Sequence, residues 1–159
     1  MLTLIEILWD GPFKLNELKK LSMKKDYGLY QVYGTHNITG PNTLLYLGQA
    51  IQQTFYERLE QHKKEWLNYQ YSDVEIYVGR LGGTNKIGND KWGKHINMAE
   101  KLLIYFVLPP YNSSNLGTYG NFSNVVVINL GKKHRLPVEV STFYRDSKYW
   151  ESEEWKEYS

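Results

Sequence analysis

The stretch YGLYQVYGTHNITGPNTLLYLG, residues 27–48, is the part of this chain that predicts its fold most directly. Two runs rich in tyrosine, valine and leucine flank a turn-rich segment, residues 34–42, which contains two glycines, a proline and two asparagines. β-Branched and aromatic residues favour strands, whereas Gly, Pro and Asn favour turns. The pattern therefore predicts a β-hairpin with a long loop, opened by Gly28-Leu29-Tyr30 and closed by Tyr46-Leu47-Gly48.

A helix is expected directly after the hairpin, from about residue 52 to residue 67. Apolar residues recur there at helical spacing, and Thr54 is a candidate N-cap. Arg58 and His62 are four residues apart, so their side chains share one face of this helix. The hairpin and the helix thus offer tyrosine, arginine and histidine side chains to one region of the fold.

The remaining segments predict a single α/β (α+β) domain over residues 1–159, with a small mixed or antiparallel central sheet flanked by helices. Hydrophobic spacing and turn residues support each element. The expected elements are a strand or short buried segment in MLTLIEILWD that ends at Gly11-Pro12, a helix in LNELKKLSM, a strand in VEIYVGRL, a helix from about Lys94 to Val107 before Pro109-Pro110, a final strand pair in NVVVINL and LPVEVST, and a short helix or frayed end in the charged tail.

Composition limits the classes of protein that this chain can represent. The 159 residues suit one domain, and the absence of cysteine excludes disulfides, thiolate zinc sites and a cysteine nucleophile. The first eleven residues contain Glu6 and Asp10, lack a basic lead and are too short to span a bilayer, so we expect a cytoplasmic protein with no membrane partner. The net charge of +2 neither supports nor opposes a nucleic-acid partner.

The two tripeptides resemble the paired motifs of the GIY-YIG nuclease family, and the resemblance covers roughly residues 27–115. It leaves an N-terminal lead, residues 1–26, and a C-terminal extension, residues 116–159, both expected to pack on the same domain. In that family the hairpin is followed by a helix bearing an arginine, a helix bearing a glutamate, and then an asparagine. This chain has Arg58, Glu100 and Asn112 in that order. Each tripeptide alone is a weak signal, whereas the ordered set is specific.

The resemblance implies a metal-dependent endonuclease that hydrolyses phosphodiester bonds in DNA, with RNA also a possible substrate, by single-metal, tyrosine-assisted attack of water. It implies Tyr30 as the general base or water activator, supported by Tyr46, and Asn112 as a residue that holds the phosphate or orients the water. Some family members carry a histidine where this chain has His62, and others carry a lysine directly after the second glycine. In this chain the residue directly after Gly48 is Gln49, which cannot titrate. This difference favours His62 for the proton relay.

The chemistry of the residue types is compatible with these roles. A free tyrosine has a pKa of about 10, so Tyr30 needs a neighbour that draws off its proton. The planar fork of Arg58 suits a phosphate, and His62 exchanges protons near neutral pH. Glu100 is the only carboxylate in the apolar run AEKLLIYF, and Mg²⁺ (or Mn²⁺) prefers carboxylate and phosphate oxygens and retains several waters. One protein ligand is therefore enough for a single-metal site.

Nucleic acid must also be held away from the reacting phosphate, and basic side chains are the candidates. Trp66, Trp92 and nearby tyrosines are candidates for stacking on unpaired bases. The segment Gly82–Lys91 lacks a Gly-Lys-Ser/Thr ending, so it is not a phosphate-binding P-loop, and we expect a surface loop. The basic candidates are Lys63, Lys64, Lys86, Lys91, Lys94, Lys132, Lys133 and Arg135.

Each candidate also has a structural interpretation. Tyr30 and Tyr46 are two of fourteen tyrosines, and tyrosine is an ordinary strand residue. Arg58 and His62 can form a solvated helix face, and Glu100 can pair with a lysine. The alternative function is a nucleic-acid-binding module of the same fold that does not cleave, acting through a protein partner.

Overall fold

The structure, a computed structural model, describes residues 1–70, 73–82 and 89–143. These residues form one mixed sheet, two α-helices and two short 3-10 helices. The strands are β1 (Thr3–Phe13), β2 (Gly28–His36), β3 (Gly40–Ala50), β4 (Glu75–Leu81), β5 (Val125–Gly131) and β6 (Glu139–Ser141); the helices are α1 (Phe55–Glu65) and α2 (Asn89–Val107), with 3-10 helices at Leu15–Leu21 and Leu67–Tyr69.

The strands form a six-stranded sheet in the order β3-β2-β4-β1-β5-β6. β1 and β5 are parallel, and every other neighbouring pair is antiparallel. The expected α+β architecture, a small mixed sheet flanked by helices, is confirmed. Among the described residues, no helix combines the length and apolar character needed to span a bilayer.

Two hydrophobic clusters form the core, and neighbouring residues of β2 belong to different ones. Leu29 is buried in the cluster that contains Leu102 and Leu103 of α2. Tyr30 is buried in the cluster that contains Phe55 and Leu59 of α1. Successive side chains of a strand point to opposite faces of its sheet, so the two helices cover opposite faces of the hairpin.

Helix α1 begins where the sequence predicts. The backbone N–H of Glu57 donates to Thr54 Oγ1 at 3.2 Å, and the Glu57 carboxylate accepts from the backbone N–H of Thr54 at 2.7 Å. This reciprocal arrangement is a capping box, which satisfies two backbone donors that a helix start otherwise leaves free. It sets the first residue of α1 and therefore the direction in which Arg58 and His62 project.

Three sequence expectations differ from the observed elements. β1 continues through Gly11-Pro12, because a register shift between Asp10 and Phe13 accommodates a proline that cannot donate to the ladder. The segment Leu15–Leu21 is a 3-10 helix, whose three residues per turn align leucines spaced exactly three apart. α2 begins at Asn89 rather than near Lys94.

Other expectations are confirmed or lie outside the described residues. The hairpin, the strand in VEIYVGRL and the final antiparallel strand pair are all present. The tail from residue 144 onward and residues 83–88 of the expected surface loop are outside the described ranges.

Gly28 offers a test of how the hairpin packs on β4. Its φ of +148° is a conformation that side chains rarely adopt, and a Cβ there would overlap the carbonyl oxygen of Gly79. We expect Gly28→Ala to lower the free energy of unfolding by about 2–4 kcal/mol, measured by chemical denaturation. Gly117→Ala is the matched control, because an added Cβ meets nothing within 4 Å there. Equal stability of the two variants would contradict this packing.

Candidate active site

The register of the hairpin brings the two motif tyrosines together. Tyr30 lies opposite Gly48, and Val32 lies opposite Tyr46. Residues that face each other across an antiparallel pair point to the same side of the sheet, so Tyr30 and Tyr46 are diagonal neighbours on one face. Their ring centroids are 6.1 Å apart.

Gly48 provides the space that the Tyr30 side chain occupies. A Cβ at this position would approach Tyr30 Oη to 2.5 Å and Tyr46 Cε1 to 2.7 Å. Contacts this short do not occur in folded proteins, so any larger residue would displace one of the two rings. The glycine that ends the second tripeptide thus has a direct steric role beneath the phenol of the first.

His62 extends from α1 to the Tyr30 phenol. Its side chain is buried, 4% exposed, and its Nε2 lies 2.7 Å from Tyr30 Oη. Arg58 is one turn earlier on the same face, partly buried, and its Nη1 donates to Gln61 Oε1 at 2.9 Å. Helix spacing and hairpin register therefore bring together the tyrosine, histidine and arginine that the sequence singles out.

Burial determines the resting protonation of the central pair. It raises the pKa of Tyr30 well above its ordinary value, and the neighbouring Tyr46 acts in the same direction. Burial also lowers the pKa of His62, as does the positive charge of Arg58, while Glu65 opposes both. At neutral pH the site accordingly holds a protonated phenol beside a neutral imidazole.

The second imidazole nitrogen has two competing neighbours. The Glu65 carboxylate lies 3.2 Å from His62 Nδ1, and the Trp66 indole N–H lies 3.2 Å from the same atom. A proton on Nδ1 donates to Glu65 and leaves Nε2 free to accept from Tyr30. A proton on Nε2 instead leaves Nδ1 to accept from Trp66. The tautomer of His62 therefore sets the direction of its bond to Tyr30.

Glu100 belongs to α2 and joins the site electrostatically. Its charge raises the pKa of Tyr46 and of Tyr30, and the charge of Arg58 acts on Glu100 in turn. Burial raises the pKa of the Glu100 carboxyl to about 7, against the opposing charges of Lys101 and Arg58. No hydrogen bond or ion pair to another described residue holds this carboxylate.

A divalent cation fits the surroundings of Glu100. A partly buried carboxylate without a hydrogen-bond donor gains strongly from a hard cation, which Mg²⁺ can supply with most of its waters retained. Across residues 1–70, 73–82 and 89–143, no three His, Asp or Glu side chains gather as a metal-binding group. The donor set is therefore compatible with one weakly ligated metal, held by a single carboxylate together with substrate oxygens.

Asn112 lies close to the site and contacts the backbone of β3. Its Oδ1 accepts from the Leu47 N–H at 3.0 Å, and its Nδ2 donates to the Leu47 carbonyl at 2.8 Å. The neighbouring Tyr111 N–H donates to the Leu45 carbonyl at 2.9 Å. β3 is an edge strand, so these bonds satisfy backbone groups that no further strand pairs. Asn112 thus positions the Tyr46-Leu47-Gly48 segment through the backbone.

The basic candidates are distributed over several surfaces. Lys63 pairs with Glu60 at 2.8 Å, Lys64 is exposed at the end of α1, and Lys91 and Lys94 are exposed on α2. Lys86 lies outside the described residues.

The turn that contains Lys132, Lys133 and Arg135 is fixed against β2. The Arg135 N–H donates to Tyr33 Oη at 3.3 Å, and Gln31 Nε2 donates to the Lys133 carbonyl at 3.4 Å. Tyr33 belongs to the cluster on the α2 face, opposite the face that holds Tyr30. The structure does not bring this turn onto the Tyr30 face.

Two residues near the site are not among those that the sequence predicts. Glu65 follows His62 by three residues, a spacing that places both side chains on neighbouring positions of α1, so helical periodicity could have identified it. Tyr111 contacts Trp66 at a ring-centroid distance of 5.5 Å. No local pattern predicts that contact, because the two rings are 45 residues apart in sequence.

No protein-family model, curated protein or solved structure matches this chain.

The raised pKa of Glu100 predicts a pH-dependent effect on stability. A carboxyl whose pKa is higher in the folded state favours folding at pH 4 and loses that contribution as the pH rises through 7. We expect Glu100→Gln to be more stable than the wild type by about 2 kcal/mol at pH 8, with allowance for screening by solvent, and nearly equal at pH 4. Denaturant unfolding at both pH values in the presence of chelator measures the difference.

Glu139→Gln, which changes an exposed carboxylate, is the control. A wild type as stable as Glu100→Gln at pH 8 would contradict the raised pKa of Glu100.

The role of Asn112 predicts a loss of stability. Asn112→Ala leaves the Leu47 N–H and carbonyl without their partners, so we expect a loss of about 1–3 kcal/mol in the free energy of unfolding. Ser113→Ala is the control, because Ser113 is exposed in the same loop. Thermal and urea denaturation of both variants check the expectation, and an Asn112→Ala variant with unchanged stability would refute a backbone-positioning role.

Proposed function

We propose that this protein is a metal-dependent endonuclease that hydrolyses phosphodiester bonds in DNA. The observation that carries the proposal is the buried hydrogen bond of 2.7 Å between Tyr30 and His62, with Arg58 on the same helix face. The Glu100 carboxylate, which has no hydrogen-bond partner among the described residues, lies within electrostatic range of Arg58. These are the residue types that the resemblance to the GIY-YIG nucleases implies. Support comes from their convergence, since β2 contributes Tyr30, α1 contributes Arg58 and His62, and α2 contributes Glu100.

Proton transfer in the proposed reaction starts from the neutral pair. The attacking water gives a proton to Tyr30 Oη as the Tyr30 hydroxyl gives its own proton to His62 Nε2, and the water oxygen bonds to phosphorus. The P–O bond to the leaving oxygen breaks, and that oxygen takes up a proton from bulk water. Because Tyr30 passes on one proton while it receives another, a high pKa for its phenol is compatible with this role. The imidazolium that results carries its second proton on Nδ1, where the Glu65 carboxylate accepts it. Glu65 is then a positioning residue that selects the productive tautomer.

Arg58 balances the charge of the phosphate, and Glu100 is the residue that would hold a cation beside it. The neighbouring Tyr30, Tyr46 and Glu65 raise the pKa of Arg58 despite its partial burial, so it stays cationic throughout. Its fork can donate two parallel hydrogen bonds to the phosphoryl oxygens. Glu100 would hold a divalent cation, whose charge would further neutralise the charge that develops in the transition state. Asn112 contributes through the backbone of β3, which carries Tyr46.

The substrate class and compartment follow from the same proposal. DNA is the proposed substrate, with RNA as a test arm, and the cytoplasm is the expected location. The non-cleaving binding module remains the alternative outcome of the test, because the same site would still attract a phosphate.

Cleavage assays with matched variants test the proposal. We expect the wild type to cut plasmid, nicked, branched or single-stranded DNA with Mg²⁺ and not with chelator, and a single-stranded RNA is assayed in parallel. We expect Tyr30→Phe to reduce the rate about 10²- to 10⁴-fold, because the phenyl ring keeps the packing and removes the proton path. Glu100→Gln should abolish the Mg²⁺ dependence together with the activity.

Two conservative substitutions control for unrelated effects. Tyr69→Phe removes an exposed hydroxyl, and Glu139→Gln removes an exposed carboxylate; both should keep wild-type activity. Cleavage that persists in chelator and in Glu100→Gln would reject the mechanism. Salt-dependent binding of DNA without cleavage under any of these conditions would favour the binding module.

A further inference from the structure

A row of aromatic rings extends from the candidate active site to the surface. We define the aromatic row as Tyr46, Trp66, Tyr111 and His36. Ring centroids are 5.9 Å apart between Tyr46 and Trp66, 5.5 Å between Trp66 and Tyr111, and 5.9 Å between Tyr111 and His36. The row begins beside the ring of Tyr30.

Exposure increases along this row from Tyr46 to Tyr111, and His36 beyond it is partly buried. Tyr30 is fully buried, Tyr46 and Trp66 are partly buried, and Tyr111 is 39% exposed. Trp66 packs against the hydrophobic cluster that contains Phe55 and Leu59 of α1, so a structural role accounts for its position. Such a role does not account for Tyr111, which belongs to neither hydrophobic cluster. Tyr111 contacts Trp66 and His36, and its hydroxyl accepts from Gln70 Nε2 at 3.5 Å, while its exposed fraction leaves aromatic surface open to solvent.

The exposed rings are held in place before any ligand arrives. The Tyr111 backbone N–H donates to the Leu45 carbonyl of β3, and the Trp66 ring packs against the rings of Tyr46 and His62 at centroid distances of 5.9 and 5.8 Å. Ligand binding therefore costs little ordering of these side chains.

We propose that the aromatic row binds unpaired nucleotides of the strand that leads to the reacting phosphate. The inference rests on the proposed function in that it names the substrate class of the same site. Every base has a flat π face that stacks on tyrosine, tryptophan or histidine. In a duplex the neighbouring bases cover those faces, so only an unpaired strand can use the row. The protein is accordingly selective for single-stranded or branched DNA.

Binding in the absence of cleavage tests this proposal separately. A fluorescein-labelled oligothymidine of about 15 nucleotides and a duplex of equal length are titrated in chelator, and binding is followed by anisotropy. We expect the single strand to bind more tightly than the duplex. Tyr111→Ala should weaken single-strand binding about five- to hundredfold and leave duplex binding nearly unchanged.

Matched variants separate stacking from other effects. Tyr111→Phe keeps the ring and should keep the affinity for the single strand. A loss of affinity in this variant would indicate that the hydroxyl, and not the ring, makes the contact. Tyr69→Ala removes a tyrosine that is 81% exposed and has no ring contact among the described residues, and it should bind like the wild type. Circular dichroism and thermal unfolding confirm that each variant is folded.

The outcomes distinguish the two proposals. Equal binding of single strand and duplex, or equal affinities of Tyr111→Ala and Tyr69→Ala, would overturn the stacking inference even if Mg²⁺-dependent cleavage is observed. Selective loss of single-strand binding in Tyr111→Ala supports the inference, and it does so even if no cleavage is detected and the endonuclease proposal fails.

Discussion

The hydrogen bond between Tyr30 and His62 joins the sheet to α1, and most features of the site depend on it. It lies within a cluster of buried apolar side chains, where a polar group without a partner is costly. Gly48 leaves the space for the phenol, and the capping box at Thr54 sets the helix that carries the imidazole. The two motif tripeptides and the first helix therefore form a single structural unit.

The electrostatics of this unit separate two kinds of group. Tyr30 and His62 are kept neutral by burial, whereas Arg58 remains charged and Glu100 has a pKa near neutrality. A neutral proton path beside a positive charge and an ionisable carboxylate suits chemistry in which a proton moves while a phosphate is held. Such strongly shifted groups gathered at one place are typical of functional sites.

Much of the fold followed from local patterns because the relevant interactions span only a few residues. The capping box at Thr54, the hairpin between two tyrosine-rich runs and the strand in VEIYVGRL all depend on close neighbours in sequence. The expectations that differed involve context. Pro12 stays within β1 because the pairing of β1 with β4 has a register shift there, and the 3-10 geometry of Leu15–Leu21 follows from leucines that must face one core.

The sequence by itself gives the chain order of the candidate residues, which are Tyr30, Tyr46, Arg58, His62 and Glu100. It also predicts that Arg58 and His62 share one helix face, because helical spacing is a local property. The hairpin register, the partner of Asn112, the competition between Glu65 and Trp66 for His62, and the contact between Trp66 and Tyr111 came only from tertiary packing. A one-residue shift of register would turn Tyr46 to the other face, and sequence patterns do not resolve such a shift. Packing between distant segments resolves it, because Tyr30 can fill the space over Gly48 in only one register.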